Sequence, residues 1–587
     1  MMFSVSAVSF CPKNLHTPLY PLARDRIRIG MQTINISKPT IAKAMAWGLL
    51  GPLCFLLFTM PLHATEREDA HRSDGWRDAV FYEIFVRSFQ DSDGDGIGDF
   101  NGITRRLDYL QALGVTALWL MPIHPSPSYH GYDVKDYYAV NPDYGTMEDF
   151  KRLLAEARRR GMRVIIDLVL NHSSSGHPFF LSALDPQSPY RNYYVWREPD
   201  PGGGGYGHGW HTTDHGNFYG LFWNEMPDLN YTNPDVTAEM YNVSRYWLEE
   251  VGVDGFRIDA IAHLIEEDGH HANTPATHAW LRDYYTYIKR VNPNAYTVGE
   301  VWEAGAALIK AYGGGREQMD QIFNFELAKG YLNSALNEDR GPVVHALNLA
   351  LADAPHGDYA TFLTNHDQDR VMSVLGGNTG RAKVAASLLL TGPGTPYLYY
   401  GEEIGMTGRK PDEYIRTPMP WSAEPGAGFT RGDPWMAPNE DHTSVNVTAQ
   451  VRDPDSLLHH YRKLIALRRA TPALHRGEVM ILETGNPAVH AILRRAGNQT
   501  ALVVINLGHR TVSDYRLSLN DGKLANGTYL PRTVFGEGRA AVLPVNEGGF
   551  SDYIPIQELP AYATFVFLLE QGKQRHGSGM GSRLHIQ

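Results

Sequence analysis

The chain has 587 residues, a formal net charge of −12, 43% hydrophobic and 11% aromatic residues. That length exceeds one ordinary domain and predicts two to four, while the composition excludes a disordered or collagen-like chain. No basic run is present, so nucleic acid is not an expected partner.

In chain order, Lys38 and Lys43 precede the apolar run "AMAWGLLGPLCFLLFTM", which ends in "PLHA" before the charged "TERED". This pattern predicts a secretory signal peptide cleaved after Ala64, hence a secreted or periplasmic protein. Such signals seldom carry a long leader, which makes Met31 a candidate start. A retained membrane anchor is the alternative, but the run is short for spanning and contains Gly51 and Pro52. Both cysteines, Cys11 and Cys54, precede Ala64, so the remainder has no disulfide and relies on its core and bound metal. Without residues 1–64 the chain carries 47 Lys/Arg against 64 Asp/Glu, a net −17.

The stretch "DSDGDGIGDF" places Asp91, Asp93 and Asp95 at alternate positions, followed by Gly96 and Asp99. It resembles the start of a calcium loop, with the Ile97 carbonyl in the seventh position and Asp99 as a further carboxylate. A helix-loop-helix sensor is excluded, because position twelve is Gly102 where a bidentate Glu is needed, and because "FYEIFVRSF" before it reads as a strand. The alternative is an acidic surface turn. Four Asp this close would repel one another without a cation, so a structural calcium held by Asp91, Asp93, Asp95, Ile97 and Asp99 is the expectation.

From Phe81 strand and helix patterns alternate. "FYEIFVRSF", "VTALWLMP", "RVIIDLVLNH", "GFRIDA", "YTVGEVW", "QIFNFEL", "ATFLTNHD" and "TPYLYYG" read as strands. The helices between them include "TRRLDYLQALG", "TMEDFKRLLAEARRRG", "VTAEMYNVSRYWLEEVG", "ATHAWLRDYYTYIKRV", "VVHALNLALADA" and "RAKVAASLLLTG". Eight units predict an α/β fold, a (β/α)8 TIM barrel. An open doubly wound sheet would need a Gly-rich phosphate loop after its first strand, and none is present. The predicted organisation is a leader and signal peptide over 1–64, a barrel over 76–172 plus 230–472, an inserted subdomain over 173–229, a C-terminal antiparallel β-sandwich over 473–570 and a polar, Gly-rich, disordered tail over 571–587.

Barrel enzymes carry their chemistry at the C-terminal ends of strands. There the sequence places Asp167, Asn171 and His172 on strand three, Arg257 and Asp259 on strand four, Glu300 on strand five, and Asn365, His366 and Asp367 on strand seven. Carboxylates converging from separate strands fit glycosidic cleavage. Isolated loop acids are the alternative reading of each one singly.

Beyond this chemistry, "DLVLNH", "GFRIDAIAH", "VGEVW" and "FLTNHD" resemble, in order and spacing, the main motifs of the α-amylase family of retaining glycoside hydrolases. "HGYDVKDY", "GDFNGI", "MPDLN" and "GTPYLYYGEEIGM" resemble its accessory motifs. The resemblance runs from about Trp76 through the C-terminal sandwich, and "MPDLN" resembles that of secreted or periplasmic α-amylases intermediate between oligo-1,6-glucosidases and neopullulanases. It implies Asp259 as nucleophile, Glu300 as general acid then base, and Asp367 as a third catalytic carboxylate gripping sugar hydroxyls. Arg257 would keep Asp259 ionised, with Asp167 orienting it; Tyr132, His172 and His366 would bind the same sugar. It also implies that the Asp91–Asp99 calcium is structural, and that Asn171 marks a second family calcium site whose other ligands the sequence leaves open. Ala260, after the nucleophile, implies α-1,4 rather than α-1,6 cleavage. The expected function is an exported, monomeric α-amylase acting on α-glucans, without stable membrane association after signal cleavage. A glucosidase or transglycosylase is the alternative, and a non-catalytic binding protein a more distant one.

Overall fold

The computed structural model describes residues 74–197, 209–302, 304–313, 315–354, 357–520 and 522–571. The predicted signal peptide, and the predicted tail beyond Gln571, lie outside the described residues. Eight parallel strands form one sheet: β1 (Phe81–Ile84), β2 (Ala117–Leu120), β3 (Arg163–Leu168), then, after three strands of an excursion, β7 (Gly255–Ile258), β8 (Tyr296–Gly299), β9 (Gln321–Ile322), β10 (Ala360–Thr361) and β11 (Thr395–Tyr399). Their spatial order is β10-β11-β1-β2-β3-β7-β8-β9, and a parallel bridge from Phe323 to Ala360 joins the two edges. The sheet therefore rolls into the TIM barrel that the alternation predicted.

Local chemistry sets the helices around it. Helix Met147–Arg159 starts at a reciprocal cap in which Thr146 accepts from the Asp149 amide and Asp149 accepts from the Thr146 amide. It then buries Phe150, Leu153, Leu154 and Ala157 on one face. Three predicted strands are shorter than read. "FYEIFVRSF" breaks after Ile84 into a helical turn at Val86–Phe89. "QIFNFEL" is a strand only over Gln321–Ile322, because the Asn324 side chain accepts from the Leu327 amide and caps a helix over Phe325–Asn337. "ATFLTNHD" is a strand only at Ala360–Thr361, which leaves His366 and Asp367 on irregular backbone.

The excursion between β3 and β7 holds a small antiparallel sheet, β4 (Trp196–Arg197), β5 (Trp210–Thr213) and β6 (Gly216–Tyr219), in the order β4-β6-β5. A bridge from His172 to Asp228 ties its two ends together beside β3, and one from Tyr194 to Leu229 joins its middle to its end.

The C-terminal region folds into a six-stranded antiparallel sheet and a two-stranded one. The larger contains β12 (Glu478–Ile481), β13 (Val489–Ala496), β14 (Gln499–Asn506), β16 (Gly527–Phe535), β17 (Leu543–Val545) and β19 (Thr564–Gln571); the smaller pairs β15 (Leu517–Leu519) with β18 (Phe550–Tyr553). Alternate residues of β13 and β14 face opposite ways. Ile492, Val503 and Ile505 join the main core around the barrel, whereas Leu493, Leu502 and Val504 join a second core with Leu517 and Leu519 of β15. Burial on both faces explains why these strands read as continuous apolar runs. Among the described residues no helix is long and apolar enough to cross a membrane.

Candidate active site

Side chains two apart on a strand share a face, so each barrel strand lines the interior with every second residue. At the lower end these are apolar: Phe81, Ile165, Tyr296 and Tyr397 lie in one buried cluster with Trp119 and Val298 above them. Two residues further on, the same faces carry Glu83, Asp167, Arg257 followed by Asp259, and Glu300. The interior thus passes from a packed aromatic floor to a charged upper layer.

Arg257 is the hub of that layer and is 1% exposed. Its Nη1 lies 2.8 Å from Asp167 Oδ1 and 2.6 Å from Asp259 Oδ1, and its Nη2 lies 2.8 Å from Glu300 Oε2. Burial pushes the Asp167 carboxyl up to about 6 despite its pairing with Arg257. Burial also pushes Glu300 up to about 7, reinforced by Asp259 and Asp367 and partly offset by Arg257. Glu300 can therefore hold a proton near neutrality beside an ion-paired Asp259.

A second network supports Asp367. Burial disfavours charge on His366, but Asp367 and Glu83 outweigh it and push the imidazole up to about 10. Its Nδ1 lies 2.5 Å from Glu83 Oε1, and its Nε2 lies 2.6 Å from the Tyr132 hydroxyl and 3.2 Å from Asp367 Oδ2. The Tyr132 hydroxyl donates in turn to Asp167 Oδ2 at 3.1 Å. Arg416 Nη2 donates to Asp367 Oδ1 at 2.8 Å. Burial opposes ionisation of Asp367, yet His366 and Arg416 hold its carboxyl well below the usual range. His172 is buried, and burial lowers its affinity for a proton.

These groups meet in a cleft of about 340 Å³. Of the residues expected to act on substrate, Tyr132, His172, Asp259, Glu300 and Asp367 line it, while Arg257 and His366 sit beneath. Arg416, His130, Asp412, Phe222 and Trp302 also line the cleft and were not singled out from sequence. Neither was Glu83, whose partner His366 is 283 positions away. Ala260 lines the cleft with a left-handed backbone, φ 46 and ψ 40.

The acidic loop lies elsewhere, before helix Phe100–Leu113. Carboxylate oxygens of Asp91, Asp93 and Asp99 lie within 4.8 Å of one another. Asp91 is buried and accepts from the amides of Asp93, Gly94 and Gly96 and from the Thr430 hydroxyl. Burial opposes that arrangement, but these donors lower the carboxyl. Asp99 caps the helix by accepting from Gly102 and also accepts from Ser92. Gly96 has φ +92, and a Cβ there would lie 1.8 Å from the Asp433 carbonyl oxygen, so the loop needs glycine on both counts. The Asp95 carboxylate lies outside this trio and accepts from the Ile97 amide at 2.7 Å. Burial raises Asp95 and Asp99, and neighbouring carboxylates including Asp93 raise both further. Three oxygen donors under mutual repulsion fit a hard divalent cation.

A second group fits as well. Asn171 Oδ1, Asp228 Oδ2 and Glu266 Oε1 are buried without a hydrogen bond. Burial and the nearby Glu266 push Asp228 well above its usual range. Asp228 is the acid of "MPDLN", so that motif was the sequence signal for a partner of Asn171.

Comparison with known proteins agrees with this geometry. Residues 83–477 match the family model described as alpha amylase, catalytic domain. Alpha-amylase 3 of Dictyoglomus thermophilum is 41% identical over 439 residues, covering 74% of this chain and 85% of that protein. An oligo-1,6-glucosidase of Halalkalibacterium halodurans is 34% identical over 518 residues, covering 75% and 91%. The crystal structure of an α-amylase from H. orenii superposes with a TM-score of 0.72 at 39% identity, covering 84% of this chain and 99% of that one. With the barrel, the cleft and these matches together, the chain belongs to the α-amylase family of glycoside hydrolases.

Proposed function

We propose that this enzyme is an exported α-amylase that hydrolyses α-1,4-glucosidic bonds of starch, glycogen or maltooligosaccharides by a retaining double displacement. The supporting observation is that one cleft holds three carboxylates in three different settings. Asp259, ion-paired with Arg257, attacks the anomeric carbon as Glu300 gives its proton to the departing glycosidic oxygen. A glycosyl ester forms on Asp259. Glu300 then takes a proton from water, which attacks the same carbon and frees Asp259. Asp367, ionised between His366 and Arg416, accepts hydrogen bonds from sugar hydroxyls. The test is the anomer first released from maltotetraose, followed by proton NMR. An α-anomer is expected, and a β-anomer would overturn the retaining reading. The chain acts as a monomer, and its export rests on the N-terminal run alone.

The similarity to oligo-1,6-glucosidases makes bond specificity the point to measure. Ala260 has the smallest side chain that still carries a Cβ, and it lies beside Glu300, whose Oε2 is 3.4 Å from the Ala260 amide. Maltotriose should be cut much faster than isomaltotriose. Ala260→Val should narrow that ratio, because a misplaced methyl in a packed subsite costs about 1–3 kcal/mol. A branched side chain is also disfavoured at φ 46, so the variant's Tm should be measured beside kcat/KM. A parent enzyme preferring isomaltotriose would contradict the α-1,4 assignment.

Calcium completes the proposal. Asp91, Asp93 and Asp99 would hold one ion, and Asn171 and Asp228 with Glu266 a second. When bound, the ion supplies charge neutralisation and no chemistry on substrate. Chelation should lower Tm more than it lowers the rate, because an ion that binds only the folded state adds about 2.7 kcal/mol at a hundredfold excess over Kd. Asp93 is exposed and makes the fewest backbone bonds of the three, so Asp93→Ala isolates the metal's contribution best. Its Tm should respond less to added calcium than the parent's. An unchanged response would place the stabilising ion at Asn171 and Asp228.

A further inference from the structure

The segment that follows the barrel's last strand returns to cover the acidic loop. The Phe429 carbonyl accepts from the Asp91 amide at 3.1 Å and from Gln90 Nε2 at 2.6 Å. The Thr430 hydroxyl donates to Asp91 Oδ2, and the Trp435 amide donates to the Gly96 carbonyl at 2.9 Å. There is no slack between the two backbones. A Cβ on Gly432 would lie 2.1 Å from the Gly94 carbonyl oxygen, the counterpart of the close approach of Gly96 to Asp433. Packing this close transmits strain.

Trp435 carries that contact inward by two routes. Its indole Nε1 donates to Ser88 Oγ at 3.0 Å, and Ser88 Oγ donates to the Arg416 carbonyl at 2.5 Å. Its ring stacks on Tyr129 at 5.5 Å, and the Arg416 guanidinium lies 5.9 Å over the Tyr129 ring. Arg416 is 2% exposed. It donates from Nε to the His366 carbonyl at 2.9 Å, and from Nη2 to Asp412 as well as to Asp367. Ser88, Tyr129 and Trp435 stand behind the cleft, and Arg416, which they touch, lines it.

We propose that Trp435 is a positioning residue that couples the acidic loop to Asp367, so that a divalent cation on the loop and a sugar on Asp367 each strengthen the other's binding. The inference rests on the calcium reading of Asp91, Asp93 and Asp99 above. Without a cation these carboxylates repel one another, and a loop that spreads pushes on Gly432 and Asp433. Trp435 moves with them, and Ser88 and Tyr129 pass the displacement to Arg416 and so to Asp367. Linkage makes such a coupling reciprocal.

The test uses the Asp259→Asn protein, which should bind maltotetraose without turning it over. Calcium binding is followed by titration calorimetry with and without saturating maltotetraose, on the component that Asp93→Ala removes. Maltotetraose should tighten that component about tenfold, within the usual range for coupled sites, and calcium should tighten maltotetraose by the same factor. Trp435→Leu and Tyr129→Leu should each bring both factors close to one. Trp435→Phe, which keeps a ring on Tyr129, should retain most of them. A calcium affinity indifferent to maltotetraose would overturn the coupling, whatever the Trp435 variants do. Full coupling in a folded Trp435→Leu protein would overturn the role of Trp435. The lack of any component removed by Asp93→Ala would instead overturn the calcium reading itself.

Discussion

Asp259→Asn should lower turnover of maltooligosaccharides by on the order of 10⁶-fold, the scale seen when a covalent nucleophile is removed, while leaving the fold intact. The amide keeps the size of the carboxylate but cannot form the glycosyl ester. The fold should survive because Arg257 retains two carboxylate partners, Asp167 and Glu300. Replacing Arg257 would be the opposite experiment. It would leave three carboxylates facing one another in a buried layer, and breaking a buried pair from one side costs about 3–5 kcal/mol. The measurements are kcat on maltotetraose and Tm by calorimetry. A variant that keeps even a hundredth of parental turnover, after purification free of the parent enzyme, would remove Asp259 from the nucleophile's role.

The second large effect belongs to Glu300→Gln, with an expected loss of about 10²–10⁴-fold on maltooligosaccharides, the usual contribution of a positioned general acid. An activated aryl maltoside should suffer less, because its leaving group needs little protonation. The pH profile supplies a separate check. Glu300 titrates near 7 against an ordinary value of 4.5, so kcat/KM of the parent should fall as pH rises through about 7, where the acid loses its proton. The variant has no such proton to lose, and its residual activity on the aryl substrate should lack that limb. Stability moves in the same window. The folded enzyme binds this proton more tightly than the unfolded chain, so stability falls as pH rises from about 4.5 to about 7. Parent enzyme with an alkaline limb unchanged by the substitution would assign that limb to another group.

The barrel was legible because its signals repeat. Eight apolar runs separated by helical spacing leave few other solutions, and residues two apart on a strand face the same way, so Arg257 and Asp259 read as neighbours before any coordinates. Strand ends were less legible. In "QIFNFEL" the apolar residues alternate as in a strand, but Asn324 caps a helix in mid-run, and the packing of Phe325 against Phe362 at 5.0 Å continues the barrel's interior from helical backbone. Short apolar runs of this kind carry both periods. The supporting residues were not legible at all. Glu83 is one acid in an apolar strand until the fold sets it against His366, and Arg416 gains its meaning only by reaching Asp367 across 49 positions. Asn171 and Asp228 stand 57 positions apart in sequence and are brought together only because the excursion returns to pair His172 with Asp228.

The aromatic floor of the barrel bears on where the chain tolerates being cut. Trp76 stacks on Tyr296 at 4.7 Å and on Phe81 at 5.8 Å, Arg163 lies 3.6 Å over its ring, and its indole nitrogen donates to the Asn294 carbonyl at 3.2 Å. The indole thus stoppers the end of the barrel opposite the chemistry, and it belongs to the first described turn, Asp74–Trp76. Truncation that keeps Asp74–Trp76 keeps every one of these contacts. Truncation past Trp76 would remove that ring and open the floor to water directly below the stacked aromatics.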